Sequence, residues 1–161
     1  MSNITPQRPR HTFTSRRNFA IVASQYNPEY VKGLIDSVQC ELEILSPKST
    51  VTLVEVPGAF EIPVVLQEVA ANGGVDAIIA LGVIIKGETA HADLIARTIT
   101  DSLQNIALRF RIPVIHEVLL VENEEQARAR TLGTTHNRGL EAARAAVQVT
   151  EAMNEVKKSS N

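Results

Sequence analysis

Residues 82–91, a short central segment of the chain, hold the side chains best suited to chemistry. Gly87, Glu88, Thr89 and His91 follow an apolar run there and precede a helical pattern. A glycine-bearing loop at the start of a helix presents backbone N–H groups that bind anions. The spacing of a P-loop and that of a dinucleotide fingerprint are both absent. The segment therefore predicts an anion site of another kind, in which Thr89 can add a hydroxyl to a bound phosphate.

His91 stands at the predicted helix start beside this anion loop, with Glu88 and Asp93 close in sequence. An imidazole near carboxylates can move protons at neutral pH. The alternative is a structural role, in which His91 caps its own helix or pairs with Asp93. A metal site is disfavoured, because three residues within one helical turn lack a distant fourth ligand.

Three other groups of residues fall at predicted strand ends. Residues 57–63 form a tight strand-to-helix turn, in which Glu61 either just complements the helix dipole or lines a pocket. Tyr26 is either a packing aromatic or a stacking platform. Arg128, Arg130 and Arg138 are typical of a solvated helix face. The alternative is phosphate binding, because a bound phosphate would need a guanidinium nearby.

The elements that must position these residues alternate between strand and helix. Short apolar runs predict strands, and apolar residues at spacings of three and four predict amphipathic helices. The predicted order is β-α-β-α-β-α-β-α-α. The predicted strands cover residues 19–23, 51–56, 75–85 and 112–121. Of the predicted helices, the first begins at residue 28, the next two cover 62–71 and 92–110, the fourth begins at 123, and the last runs from after 133 to about 158. Right-handed crossovers then predict an α/β, flavodoxin-like three-layer sandwich with a four-stranded parallel sheet flanked by helices. In such a sheet, ligands bind at the carboxyl ends of the strands.

Length, composition and charge limit the class of protein and the partners that the sequence allows. The chain of 161 residues is 44% hydrophobic and 21% charged, as in one soluble domain. Residues 1–17 carry four arginines and no acid, which predicts a flexible basic tail before a single domain over 18–161. A transit peptide is the alternative for this segment, because Arg, Ser and Thr dominate it. The domain is left net acidic, which argues against a nucleic-acid partner. No apolar run is long enough for a membrane span, and one cysteine favours a reducing, cytoplasmic location.

Four motifs, taken together and in order, resemble the lumazine synthase family. They are the stretches 56–63 (VPGAFEIP), 81–91 (LGVIIKGETAH), 122–127 (ENEEQA) and 137–139 (NRG). The resemblance runs in register from about Asn18 to Lys157. It implies an enzyme of riboflavin biosynthesis, which condenses 5-amino-6-(D-ribitylamino)uracil with 3,4-dihydroxy-2-butanone 4-phosphate, gives 6,7-dimethyl-8-ribityllumazine and releases phosphate. The substrate's own amine attacks the ketone, so neither a cofactor nor an enzyme lysine is implied.

The resemblance also implies a role for each matching side chain. His91 matches the family's proton donor, and Arg130 its phosphate-binding arginine. The other expected substrate-binding residues are Tyr26 on the pyrimidine ring, Ala59, Phe60 and Glu61 on the ribityl chain, Val83, Ile84 and Ile85 at the uracil edge, Glu88 and Thr89 at the phosphate, and His116 and Arg138.

The chain departs from the family pattern in several places. His116 stands where the family commonly presents an aromatic, often Phe, to the neighbouring subunit's site. Arg138 falls where lysine is common, Tyr26 replaces Phe or Trp, and residues 131–136 depart from a Gly-Thr-Lys pattern. The family implies a homopentamer, and in some members a shell of pentamers. Because Pro6 and Pro9 remove ladder donors from the N-terminal segment, a free pentamer is expected.

Two other functions compete with this interpretation. One is a flavodoxin-like binding protein that holds flavin or lumazine without turnover, against which His91 and Arg130 argue. The other is a structural shell or cargo protein. A turnover assay with both substrates separates an enzyme from a binder, and light scattering tests for a shell.

Overall fold

The chain folds into four strands and five α-helices in a computed structural model that describes residues 7–9 and 13–159. The order β-α-β-α-β-α-β-α-α is the predicted one. The elements are β1 (Asn18–Ser24), α1 (Pro28–Leu45), β2 (Thr50–Val56), a short 3₁₀ turn (Ala59–Glu61), α2 (Ile62–Asn72), β3 (Ala77–Ile85), α3 (His91–Phe110), β4 (Val114–Val121), α4 (Glu124–Thr131) and α5 (Arg138–Ser159).

All four strands are parallel and lie in the order β2-β1-β3-β4. This confirms the predicted four-stranded parallel sheet. The chain continues from β1 to β2 on one side of the sheet and from β3 to β4 on the other. The carboxyl ends of β1 and β3 therefore flank the crevice in which α/β folds of this kind bind ligands.

Helices cover both faces of the sheet, so the molecule has three layers. Successive strand residues point to opposite faces. Ile21 and Ile79 therefore pack in the core beneath α1 and α5, and Val22 and Ile78 pack in the core beneath α2 and α3. This double cover is why β3 is an unbroken apolar run.

Two strands begin later than the sequence pattern predicts. The strand predicted from Val75 begins at Ala77, because Gly73 and Gly74 turn with positive φ and the Asp76 carboxylate accepts a hydrogen bond from the Asn18 N–H at 2.7 Å. The strand predicted from residue 112 begins at Val114, since Arg111 takes a left-handed conformation and ends α3. Apolarity alone does not show these turns.

Part of the predicted N-terminal tail packs against α1 and α5. Phe13 is buried, and its N–H donates to the Leu45 carbonyl at 2.8 Å. The guanidinium of Arg17 lies over the Phe13 ring and donates to the Val147 carbonyl at 3.0 Å. The packed body thus includes residues before the predicted start at 18. Most of the rest of the predicted tail, including Pro6, lies outside the described residues.

Candidate active site

The ends of β1, β2 and β3 bring several predicted site residues to one surface. Gly58 follows β2, and a Cβ there would lie 2.8 Å from the Glu61 carboxylate and 3.2 Å from the Tyr26 ring. A larger residue at this position would displace the Glu61 carboxylate and crowd the Tyr26 ring, so glycine permits the close approach. The 3₁₀ turn over Ala59–Glu61 then leads into α2. We call residues 26–27, 58–61 and 83–91 the strand-end surface.

Two aromatic rings of the strand-end surface are open to solvent. Tyr26 is 70% exposed and Phe60 is 60% exposed, while Val64 and Leu94 add exposed apolar area. Exposed aromatic rings at the carboxyl ends of the strands stand where an α/β fold binds its ligands. At the end of β3, Val83 is buried, whereas Ile84 and Ile85 are half-buried. The predicted stacking and uracil-edge residues therefore lie at one end of the sheet.

Asn27 joins two parts of this surface, a role that the sequence analysis missed. Its backbone is left-handed, with φ 56°, and its side-chain amide donates to the Val83 carbonyl at 2.8 Å. Asparagine tolerates this conformation better than most residues. The Asn27-Pro28 pair predicts a turn, but nothing local reveals a partner on β3. Asn27 thus sets the distance between the Tyr26 turn and the end of β3.

Lys86 fixes the start of the predicted phosphate loop. Its ammonium lies 2.8 Å from Glu122 and 3.4 Å from Asp93, and its N–H donates to the Val121 carbonyl at 2.9 Å. The hydrogen bond to Glu122 raises the pKa of Lys86. The loop is thereby tied to the end of β4, and Glu88 and Thr89 are exposed.

His91 is the first residue of α3, and it is exposed. Of the two structural roles weighed from the sequence, pairing with Asp93 is not observed, because Asp93 pairs with Lys86. Nor does a side chain cap the start of α3. Within the part of the chain that the structure describes, the imidazole has no hydrogen-bond or ion-pair partner and is open to an incoming ligand.

The other predicted residues line a groove of about 960 Å³ beside β4. β4 is an edge strand, so its outer edge has no partner among the described strands. We call this site the β4 groove; the lining residues that matter here are Thr100, His116, Glu117, Arg130, His136 and Arg138. No residue of the strand-end surface lines it.

His116 faces α3 from the β4 groove. Its Nδ1 accepts a hydrogen bond from the Val118 N–H at 3.3 Å, and its Nε2 lies 2.8 Å from the Thr100 hydroxyl. With Nδ1 accepting, the ring proton sits on Nε2. Burial lowers the pKa of His116, and the nearby Arg138 lowers it further. The ring is therefore a neutral, fixed imidazole at neutral pH.

Glu117, on the opposite face of β4, pairs with Arg138, an ion pair that the sequence analysis also missed. Its two oxygens accept from Nε and Nη2 of Arg138 at 3.0 and 3.1 Å, and Nη1 of Arg138 donates to Glu141. Glu117 is only 6% exposed. Burial raises its pKa to about 7, although Arg138 opposes the shift. The available signal is an acid that follows His116 in a strand whose other residues are apolar.

The arginines of α4 separate into two environments. Arg128 pairs with Glu29 at 3.1 Å and lies over the Tyr30 ring, so it ties α4 to α1. Arg130 lines the β4 groove and has no carboxylate partner among the described residues. Of the two, Arg130 is the cation that is free to meet an anion.

The predicted site residues therefore lie in two separate places on one chain. Tyr26, the 59–61 turn and the 83–91 segment share the strand-end surface, whereas His116, Arg130 and Arg138 share the β4 groove. Within the described ranges, no cluster of three His, Cys, Asp or Glu side chains is arranged to hold a metal ion. In the same ranges, no helix is long and apolar enough to cross a membrane.

Comparison with known proteins agrees with the motif pattern. The model of the 6,7-dimethyl-8-ribityllumazine synthase family matches residues 16–154. A protein of that name from Paraburkholderia phymatum is 45% identical over 130 residues, which cover 80% of this chain and 73% of the relative. The protein of the same name from Burkholderia multivorans is 44% identical with the same coverage. Among solved structures, the match to a de novo designed Rossmann fold protein covers 69% of this chain and 90% of the designed chain at 13% identity, with a TM-score of 0.40.

Proposed function

The chain belongs to the 6,7-dimethyl-8-ribityllumazine synthase family, and on that premise we propose how its residues carry out the family's condensation. The enzyme is a transferase of riboflavin biosynthesis. It joins 5-amino-6-(D-ribitylamino)uracil to 3,4-dihydroxy-2-butanone 4-phosphate and releases phosphate. The observation that carries this function is the family match over residues 16–154, which spans both the strand-end surface and the β4 groove.

The strand-end surface is the proposed site for the pyrimidine substrate. Tyr26 stacks on the pyrimidine ring, and Val83, Ile84 and Ile85 meet the uracil edge. Ala59, Phe60 and Glu61 hold the ribityl chain, with the Glu61 carboxylate accepting its hydroxyls. The exposure of Tyr26 and Phe60 supports this placement, because both rings have a free face to offer.

The chemistry itself needs little from the protein beyond proton transfer and orientation. The 5-amino group of the pyrimidine attacks the ketone carbon, and a first water leaves as the imine forms. Phosphate then leaves toward the Glu88–Thr89 backbone and Arg130, while His91 carries protons between the reacting atoms. Once phosphate has been eliminated, the ribitylamino nitrogen attacks the remaining carbonyl carbon, and a second water leaves as the ring closes. Holding two substrates in register is worth roughly 7–11 kcal/mol of the barrier. The exposed His91 at the start of α3 supports its role, since the imidazole is open to the substrate.

Assembly follows from the separation of the two regions. If each site combines one chain's strand-end surface with another chain's β4 groove, the interface is heterologous, and such an interface gives a ring when its rotation closes. We propose a homopentamer, with the multiple of five taken from the family. His116, Arg130 and Arg138 then complete the adjacent subunit's site. A cytoplasmic location is inferred from the one cysteine in the sequence.

A turnover assay tests the function directly. The purified chain is incubated with both substrates, and the absorbance of the lumazine product is followed. Product formation is expected; tight binding of lumazine or flavin without turnover would instead make the chain a binding protein.

Mixing two inactive variants tests the shared site. His91→Ala removes the proton carrier of the strand-end surface, and His116→Asp places a charge in the β4 groove. Subunit exchange should restore activity, because mixed rings contain some interfaces with both histidines intact. The assembly should elute at five times the chain mass of 17.6 kDa, about 88 kDa. Exchange without any recovered activity would reject the shared site.

A further inference from the structure

The two arginines of the β4 groove differ in how far neighbouring carboxylates offset their charge. Nε, Nη1 and Nη2 of Arg138 each donate to a carboxylate oxygen, two on Glu117 and one on Glu141. Two acids therefore surround one base, and the three side chains together carry one negative charge when all are ionised. Arg130 has no such partners among the described residues and keeps its full positive charge.

The residues on either side of Arg138 fix the backbone that carries it. The Asn137 amide donates to the carbonyls of Thr131 and Gly133, each at 3.0 Å, and its oxygen accepts from the Gly139 N–H at 2.8 Å. Gly139 in turn packs so closely that a Cβ there would lie 2.7 Å from the Leu34 carbonyl oxygen. The first turn of α5 therefore cannot shift easily, and Arg138 stays opposite Glu117.

We propose that Glu117 is a specificity-determining residue that directs phosphate to Arg130, and away from Arg138, in the β4 groove. Fork-to-fork pairing with a carboxylate uses the same N–H groups that would otherwise grip a phosphate. A phosphate dianion at Arg138 would also face the charges of Glu117 and Glu141. The surroundings of Arg138 are thus reserved for an uncharged part of the substrates. This proposal rests on the proposed function only in taking a phosphate ester as substrate.

The opposite role for Glu117 makes the opposite prediction. If Glu117 instead oriented Arg138 to bind phosphate, removal of the carboxylate would weaken phosphate binding. If Glu117 screens Arg138, removal creates a second phosphate site. The sign of the change in affinity for inorganic phosphate separates the two.

Calorimetric titration with inorganic phosphate measures that sign without turnover. The full-length protein is used at pH 8, above the pKa of Glu117, at fixed ionic strength. Arg130→Gln should weaken phosphate binding by about tenfold or more, since it removes the unpaired guanidinium. Adding Glu117→Gln to Arg130→Gln should tighten it again by about tenfold, and adding Arg138→Gln should abolish that gain. No gain from Glu117→Gln overturns the proposal.

Two further variants keep the test decisive. Glu125→Gln makes the same charge change on an exposed residue outside the groove, and it should leave the affinity for phosphate unchanged. A gain in affinity equal to that of Glu117→Gln would mean a net-charge effect and would overturn the proposal. Glu141→Gln releases one N–H of Arg138 and should give a smaller gain, which decides the question where Glu117→Gln does not fold. Lack of turnover by the wild-type protein would reject the proposed function, while the phosphate titration would still stand on its own.

Discussion

The strand-end surface and the β4 groove place their side chains by different means. On the strand-end surface, local backbone geometry places Tyr26 and Glu61: they flank a left-handed Asn27, a glycine at 58 and a 3₁₀ turn. In the β4 groove, side chains hold one another across elements that are distant in sequence. His116 bonds to α3, and Glu117 bonds to α5.

This difference predicts how each region responds to substitution. Side chains placed by the local backbone can be removed with little effect on folding, because few other side chains pack against them or pair with them. A buried acid in an ion pair, such as Glu117, couples function to stability, because burial penalises its ionised form in the folded state. Variants in the two regions should therefore separate activity from stability to different degrees.

The largest expected effect is that of His91→Ala in the strand-end surface. The turnover number should fall by about 10²–10⁴-fold, the usual contribution of a general acid or base. Pyrimidine binding and the free energy of unfolding should stay close to wild type, because the exposed imidazole holds no partner among the described residues. Steady-state kinetics with equilibrium binding of the pyrimidine checks both parts. An unchanged turnover number would remove His91 from the mechanism.

Glu117→Gln in the β4 groove should instead change how stability depends on pH. Folding raises the pKa of Glu117 from 4.5 to about 7, so the folded state holds the proton more tightly. Wild-type stability is therefore lost as pH rises from about 4.5 through 7, by up to roughly 3 kcal/mol, and the variant lacks this loss. Urea unfolding of both proteins at pH 5 and pH 8, at one protein concentration, measures the difference.

The His116 ring is present in both of these proteins, so its own titration cancels in the comparison. Exposed Glu125→Gln serves as the control and should keep the wild-type pH dependence. If Glu117→Gln loses stability with pH as the wild type does, the carboxylate titrates normally and the environment assigned to Glu117 is wrong.

Arg130→Lys sharpens the contrast inside the β4 groove. A lysine keeps the charge but loses the two-pronged grip on phosphate. The KM for the butanone phosphate should rise by about tenfold, and more than the KM for the pyrimidine. Arg128→Lys is the matched control, because Arg128 pairs with Glu29 instead of lining the groove. Equal changes in both KM values would assign Arg130 to folding.

The sequence predicts the fold and the strand-end surface better than the β4 groove. Element order and strand direction follow from apolar periodicity, and the motifs around Glu61 and His91 are contiguous, so neighbouring residues lie at one strand end. The Glu117 to Arg138 pair joins residues far apart in the chain, and no local pattern reveals it. Its one local sign is an acid in an apolar strand. The sequence likewise contains Lys86 and Asn27, but it does not show which residues on other elements they contact.

The smallest expected effect concerns the backbone device of the strand-end surface, at Asn27. Asn27→Gly keeps the left-handed conformation and loses only the hydrogen bond to Val83, which should cost about 1 kcal/mol of unfolding free energy. Asn27→Ala loses the bond and also strains the backbone, which adds about 1–2 kcal/mol. Urea unfolding of the two variants gives the order directly. If alanine is tolerated as well as glycine, the left-handed turn is not what positions the Tyr26 side of the surface, and the proposed contrast with the ion-paired groove loses its physical basis.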